Sequence, residues 1–362
     1  MTHALCTTRN TFSFRVKRYL SLYEMNFLNN PAFLKCVIDS GISQDELHEL
    51  EYIYTGQLDF KDVGNGVYCH IPTMFKTFDH VVALDLDWTL AYNEHALFPR
   101  DPDDIQILPG RREFLVSLLK KGYSLAVFTN QKAKSKSEKE KKIERVRNFL
   151  EKIRLPLYTF VSTEDNDYRK PGTGMFKLMK KYLSPQRLYF IGDALGRPQD
   201  FSDSDKLFGE GIGATIYSPE DVFPASVNPV FKSTKELVIT VGMGGSGKST
   251  YVAENLQSHV RVNQDTLKTK AKVDKLVDAT MKTGASLVID ATNPTQERRE
   301  EFYSLAKRYG YNVKVLYIVR NGKGWNDLRE DRVPTIAYHI YFKNLEPPTK
   351  ENTPGELYIM WW

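Results

Sequence analysis

From about residue 79 the chain alternates short, almost wholly apolar runs with longer stretches whose apolar residues recur every three or four positions. "VVALDLD", "SLAVFTN", "YTFVST" and "RLYFIGD" have the length and the β-branched and aromatic content of strands buried on both faces. Between them, "RREFLVSLLKKG" and "MFKLMKKYL" carry helical spacing. This rhythm predicts a doubly wound parallel sheet. It breaks at residues 218–236, "SPEDVFPASVNPVFKSTKE", a stretch rich in proline, serine and acid. It then restarts with "ELVITVGM", a helix after Gly247, "VRVNQ", "SLVIDAT" and "VKVLYIV". The pattern predicts two α/β domains without an internal repeat. We set the boundaries at 1–75 for an N-terminal extension of unassigned role, 76–233 for the first domain and 234–362 for the second. In the extension only "SQDELHELEYIY" has a helical signal.

Composition changes this picture little. The 362 residues are 41% hydrophobic and 26% charged, as in ordinary globular proteins, and no apolar run approaches the roughly 18 residues that span a membrane. Three widely spaced cysteines, Cys6, Cys36 and Cys69, suggest neither a disulfide framework nor a zinc site. The N-terminus lacks the apolar core of a signal peptide, so an intracellular protein is expected, with its basic start leaving organellar targeting open. The net charge of +5 is compatible with a polyanionic partner without requiring one. Residues 132–147, "KAKSKSEKEKKIERVR", concentrate lysine and arginine. Ile143, Val146, Leu150 and Ile153 keep helical spacing opposite them, which reads as a solvated helix face.

The most specific motif is "GMGGSGKST", residues 242–250, which follows a strand and opens a helix. Gly242, Gly244, Gly245, Ser246 and Gly247 would curl backbone N–H groups around the phosphates of ATP. Lys248 would reach the β- and γ-phosphates, and Ser249, followed by Thr250, would ligate Mg²⁺. Asp265, after the next strand, would lie beside this loop and accept a proton from an attacking hydroxyl, or else cap the helix beginning "TLKTK". Asp290 ends a further strand as a metal or water ligand, or as a turn former before Pro294. Arg320, Lys323, Arg329 and Arg332 form a basic group that suits either a phosphate-clamping lid or an exposed helix.

In the first domain, Asp85 and Asp87, Thr129, Lys170 and Asp193 fall in order at successive strand ends or just beyond them. An aspartate at a strand end is often only a turn former, but this order resembles the haloacid-dehalogenase superfamily of phosphotransferases. By that resemblance Asp85 is the nucleophile that forms an aspartyl phosphate. Asp87 protonates the leaving alkoxide and then activates water. Thr129 would bond the phosphoryl oxygens, Lys170 would neutralise the crowded anions, and Asp85, Asp87 and Asp193 would make the Mg²⁺ set. Trp88 stands where much of the superfamily has glycine. About 40 residues separate Asp87 from Thr129 and again Thr129 from Lys170, which leaves no room for a large cap and points to an open site.

Both domains together resemble the bifunctional polynucleotide kinase 3′-phosphatases over residues 76–348. The likeness rests on "DLDWTL", "VFTNQ", "RKPGTGMF", "GDALGRPQDFSDSDKLF", "GMGGSGKST", "VNQDTL", "DATNP" and "NDLRE" followed by "FKNLEPPT". It implies that Asp265 is the general base of a 5′-kinase and Arg329 its lid arginine, with Arg332 the alternative. It further implies Mg²⁺ and ATP as cofactors, DNA ends bearing 3′-phosphate and 5′-hydroxyl as substrates, a DNA ligase acting downstream, a monomer, and a nuclear location with cytoplasm and mitochondria as alternatives. Animal members carry a forkhead-associated domain, and the extension is too short and too helical for that β-sandwich. RNA end healing, and a nucleotide-binding scaffold without turnover, stand as the other readings.

Overall fold

The computed structural model describes residues 58–72, 77–99, 101–223 and 229–361. The helical signal in "SQDELHELEYIY" and the rest of the extension up to residue 57 lie outside these. The described residues form two compact units, one from 58–91, 110–196 and 202–223, the other from 92–109, 197–201 and 229–361.

In chain order the first half runs β1 (Lys61–Asp62), β2 (Val67–His70), β3 (His80–Leu84), β4 (Ala91–Tyr92), β5 (Gln106–Ile107), α1 (Arg111–Lys120), β6 (Ser124–Asn130), α2 (Lys136–Ile153) and β7 (Leu157–Ser162). Then follow α3 (Gly174–Met179), β8 (Arg187–Ile191), α4 (Ser204–Gly211), β9 (Thr215–Tyr217) and α5 (Pro219–Val222). The sheet of the first unit has the order β1-β2-β7-β6-β3-β8-β9. Five strands are parallel, as expected from their continuous apolar runs, and β1 and β2 add an antiparallel edge on β7. The boundary expected at residue 76 therefore lies further upstream. "VYCH" is too short a run to announce itself, but its residues pair one for one with 159–162 and bury Val67 and Cys69 in the core.

The chain leaves β3 in one direction to build β6 and β7, and returns to the other side for β8 and β9. This reversal opens a crevice at the carboxyl ends of β3, β6 and β8, where ligands bind in open α/β sheets. Under it, Phe128 stacks on Phe160 with centroids 5.4 Å apart and meets Phe208 edge-on at 5.1 Å, while Phe208 meets Phe190 at 5.2 Å. Helix α2 is capped by Ser135, whose hydroxyl accepts the Glu138 N–H, and stops at Arg154 in a left-handed conformation.

The second unit contains β10 (Glu236–Val241), α6 (Lys248–Asn255), β11 (Val260–Asn263), α7 (Gln264–Leu267), α8 (Lys270–Thr283), β12 (Leu287–Asp290) and α9 (Gln296–Tyr309). It closes with β13 (Asn312–Ile318), α10 (Lys323–Asp327), α11 (Thr335–Asn344) and β14 (Glu356–Met360). Its sheet is parallel throughout, in the order β11-β12-β10-β13-β14. The edge strand β14, "ELYIM", is half exposed and mixed in polarity, so no apolar run marks it.

Residues 92–109, expected within the first domain, cluster with this unit instead. The reason is aromatic packing: Tyr92, Tyr317 and Tyr341 are all buried, and burial, joined by the Tyr341 and Glu94 charges, drives the Tyr92 hydroxyl far up even though it bonds to Tyr317. No helix among the described residues is long and apolar enough to cross a membrane.

The phenylalanine cluster carries the first prediction. Phe128 is fully buried, so Phe128→Ala should destabilise the first unit by about 3–5 kcal/mol through lost burial and a residual cavity. Urea unfolding monitored on this unit measures it, and a change below about 1 kcal/mol would mean that the cluster is not its core.

Candidate functional site

The strand ends of the first unit bring the expected residues together. Leu84 is in register with Ile191 on one side and Val127 on the other, and the Asp85 N–H bonds the Ile191 carbonyl at 2.9 Å. The Asp85 side chain thus enters the crevice at the reversal point. Lys170, from the loop after β7, reaches it with Nζ 2.5 Å from Asp85 Oδ1. The Lys170 backbone is pinned to β6 by Asn130, whose side chain accepts the Lys170 N–H at 2.9 Å and donates to its carbonyl at 3.0 Å.

The same ammonium lies 2.7 Å from Asp205 Oδ1, a residue not singled out by sequence reasoning. Asp205 sits in the first turn of α4, and its Oδ2 accepts the Ala194 N–H at 3.2 Å. Its approach depends on Gly192, where a Cβ would stand 2.4 Å from Asp205 Oδ2. The signal was present in "DFSDSD", but Asp200, Asp203 and Asp205 compete there and spacing does not choose among them.

Asp85, Asp193 and Asp205 offer carboxylate oxygens within 4.8 Å of one another. Burial pushes the Asp85 carboxyl up to about 7, with the Asp205 and Asp87 charges adding to it and Lys170 opposing. Asp193 is raised as well, by burial first and then by Asp85 and Asp205. Burial alone would lower Lys170, but Asp205 and Asp85 outweigh it and hold the ammonium above its ordinary range. One cation therefore faces three crowded carboxylates, and the donor set fits a hard divalent ion such as Mg²⁺. Asp87, expected in the metal set, does not join it. Its Oδ1 lies 2.6 Å from Arg145 Nη2 and its Oδ2 accepts from Gln131 Nε2 at 2.7 Å. Gln131 also donates to Thr129 Oγ1 at 2.8 Å, so Thr129 and Asp87 are joined through one amide. Trp88 has a φ of 61°, the left-handed region that suits glycine, which is a physical reason for glycine at that place.

In the second unit, "GMGGSGKST" wraps the carboxyl end of the central strand β10. A Cβ at Gly242 would stand 2.8 Å from the Ile318 carbonyl oxygen, and one at Gly245, whose φ is 75°, would stand 2.2 Å from that of Gly322. Gly247 caps α6 with a φ of 92°, Gly244 only reaches ordinary contact with Val333, and Ser246 is fully buried. Lys248 folds back to donate to the Met243 carbonyl at 2.6 Å. Burial brings its ammonium down to about 8, with Arg329 adding to this and Asp290 and Asp265 opposing. Lys248, Asp265, Asp290 and Arg329 thus share one electrostatic neighbourhood.

Ser249 Oγ donates to Asp290 Oδ1 at 3.1 Å, while Thr250 is exposed on the same turn. Asp290 is gripped further by Arg261, with Nε and Nη2 at 2.8 and 2.5 Å from Oδ2. Asp265 is exposed, and the capping alternative fails: Asn263 caps α7 and Thr269 caps α8. Arg329 pairs with Asp331 at 2.7 Å, and Arg332 donates to the Arg329 carbonyl at 3.1 Å, which braces the loop.

The folds and strand-end side chains define a haloacid-dehalogenase-like phosphatase unit joined to a P-loop unit. Residues 80–223 match the polynucleotide kinase 3 phosphatase family, and residues 237–321 match the AAA domain family. The chain is 28% identical over 312 residues to the bifunctional polynucleotide phosphatase/kinase of Schizosaccharomyces pombe, covering 75% of this chain and 76% of that protein. It is 29% identical over 323 residues to a putative bifunctional polynucleotide phosphatase/kinase of Acanthamoeba polyphaga mimivirus, covering 66% and 75%. It is also 31% identical over 174 residues to a polynucleotide 3′-phosphatase of Arabidopsis thaliana, covering 42% of this chain and 25% of that protein. Residues 80–223 thus match the polynucleotide kinase 3 phosphatase family, and the chain as a whole is homologous to bifunctional polynucleotide phosphatase/kinases at 28–29% identity.

The crowded carboxylates set a dependence on pH. Folded Asp85 holds its proton up to about 7 against an ordinary value of 3.8, so the folded state binds more protons across that window. Without metal the first unit should therefore lose stability as pH rises from about 4 to 7. Mg²⁺ competes with those protons, so the rise in melting temperature on adding Mg²⁺ should be larger at pH 7.5 than at pH 5. Calorimetry at both values measures it. An equal or smaller rise at the higher pH would mean that the ion binds elsewhere.

Proposed function

We propose that the chain is a bifunctional enzyme that removes 3′-phosphates from DNA ends in its first unit and phosphorylates 5′-hydroxyls with ATP in its second. The observation that carries this reading is the pairing, in one chain, of the Asp85–Lys170 carboxylate cluster with a complete P-loop. Its bifunctional homologues carry both activities in their names.

In the phosphatase step, an Asp85 carboxylate oxygen attacks phosphorus. The bond to O3′ breaks, its electron pair leaves with O3′, and O3′ takes the proton from Asp87. A water then attacks the aspartyl phosphate and gives its proton to Asp87. The P–O bond to Asp85 breaks, its electron pair returns to the carboxylate, and phosphate leaves. The Thr129 hydroxyl donates to a phosphoryl oxygen, and Lys170 offsets the charge that gathers there. Asp85, Asp193 and Asp205 would hold Mg²⁺, which would supply further neutralisation of the phosphoryl oxygens. In the kinase step, Asp265 accepts the proton of the 5′-hydroxyl as its oxygen attacks the γ-phosphorus of ATP, and ADP departs. Arg329, released from Asp331, balances the charge that spreads over the transferring group. Ends carrying 3′-hydroxyl and 5′-phosphate are those a ligase joins, so a DNA ligase acts next. We place the enzyme with its substrate, in the nucleus, as a monomer.

A labelled nicked duplex bearing both blocked ends tests the assignment, with an RNA duplex beside it as the comparison. Phosphate removal should need Mg²⁺ alone and phosphorylation should need ATP as well. A requirement of 3′ removal for ATP would rule out the aspartyl-phosphate route.

Asp85→Asn should abolish 3′ removal and leave 5′ phosphorylation within about two-fold, because it deletes the nucleophile. Loss of both activities in a folded variant would defeat the assignment of separate sites.

In the second unit, Asp265→Asn should bind ATP normally in calorimetry yet lose at least about 10⁴-fold in 5′ phosphorylation, since the base also orients the hydroxyl. Lys248→Ala should weaken ATP binding and turnover together. Activity of Asp265→Asn within a few-fold of wild type would move the base to another carboxylate, Asp290 first.

A further inference from the structure

We propose that Arg145 is a positioning residue of the phosphatase: it locks the Asp87 carboxyl through Oδ1, so that Oδ2, on the Thr129 side, is the oxygen that exchanges the proton. This rests on the phosphatase reading above.

Arg145 lies in the basic run of α2 that reads as a solvated face, yet it is 1% exposed. It is buried alongside Ile143, Val146 and Phe149 on the inner side of the helix. Burying a guanidinium costs several kcal/mol, whereas an apolar side chain would pack at that place without this penalty. Its presence is explained by what it holds: Nη2 lies 2.6 Å from Asp87 Oδ1. The other oxygen of Asp87 is held by a different kind of donor, the neutral Gln131 amide at 2.7 Å, which also bonds Thr129 Oγ1 at 2.8 Å.

The two grips are unequal. A hydrogen bond from a charged guanidinium is about twice as strong as one from a neutral amide. When Asp87 carries a proton, the oxygen that holds it becomes a donor and a much weaker acceptor, so its incoming N–H bond is weakened. Yielding the amide costs less, so Oδ2 takes the proton and Oδ1 stays on Arg145. Gln131 then keeps its bond to Thr129, the residue beside the phosphoryl group. The asymmetry fixes the torsion of Asp87 and aims Oδ2 at the leaving O3′ and later at the attacking water.

Two substrates separate this role from simple support of the fold. The alkoxide leaving from a 3′-phosphate needs a proton, and the nitrophenolate leaving from p-nitrophenyl phosphate does not. Arg145→Met should lose about 10²–10⁴-fold in kcat on a 3′-phosphate oligonucleotide with KM within about three-fold, the range of a misplaced general acid. On p-nitrophenyl phosphate it should release one equivalent of nitrophenolate in a rapid-mixing burst and then turn over slowly, because Asp85 still attacks while water activation fails. Arg145→Lys keeps the charge without the planar fork and should fall between wild type and Arg145→Met. Kinase activity and the melting temperature of each variant report on folding. If Arg145→Met does not fold, the burst and the kcat loss of Arg145→Lys decide in its place. Activity within about three-fold of wild type on the 3′-phosphate, or equal losses on both substrates without a burst, would overturn the proposal. A wild-type enzyme that leaves 3′-phosphates untouched would instead overturn the phosphatase reading.

Discussion

The ammonium of Lys170, 2.5 Å from Asp85 Oδ1 and 2.7 Å from Asp205 Oδ1, is the contact on which the first unit's site depends. Three carboxylates converge there, and burial penalises each charge as it enters. One cation cannot neutralise them all. The structure spends rigid backbone on bringing that cation in: Asn130 clasps the Lys170 main chain in both directions, tying a loop to the end of a central strand. The deficit of positive charge that remains is what makes the crevice attractive to a divalent ion and poised for a phosphoryl group.

Close approach of backbone sets a second constraint, shared by both units. Asp205 reaches its place because Gly192 leaves room, and the phosphate loop closes because Gly242 and Gly245 allow carbonyls within distances that no Cβ tolerates. Trp88 shows the opposite choice, a bulky side chain in left-handed backbone directly after Asp87. Its N–H bonds the Ala91 carbonyl at 2.7 Å, which closes the turn behind the two aspartates.

The parallel strands and the residues at their ends were legible in the sequence because continuous apolar runs end abruptly in polar groups. What escaped lacked such a pattern. Strands β1, β2 and β14 are short or half exposed, and β2 and β14 pair with strands distant in sequence. Residues 92–109 lie within the sequence span of the first unit and pack with the second, a choice made by tyrosines separated by more than 200 positions. Arg145 could not be told from its solvated neighbours in a basic helix, since its burial is set by a carboxylate 58 residues away. Asp205 was hidden among other acids of the same loop.

Lysine meets opposite electrostatic environments in the two units, one raising its affinity for the proton and the other lowering it, and the difference follows from first neighbours. Lys170 has two carboxylates within hydrogen-bonding distance, so its charge is fixed whatever enters the site. Lys248, as buried, bonds the Met243 carbonyl alone among the described residues, while Asp290 and Asp265 act on it from further away, and its pKa falls to about 8. A lysine in that state gains most from an anion placed beside it, because nearby negative charge removes the penalty of burial. The triphosphate oxygens of the proposed ATP would supply that charge. The same residue type therefore acts as a standing counter-ion in the first unit and as a group completed by its ligand in the second.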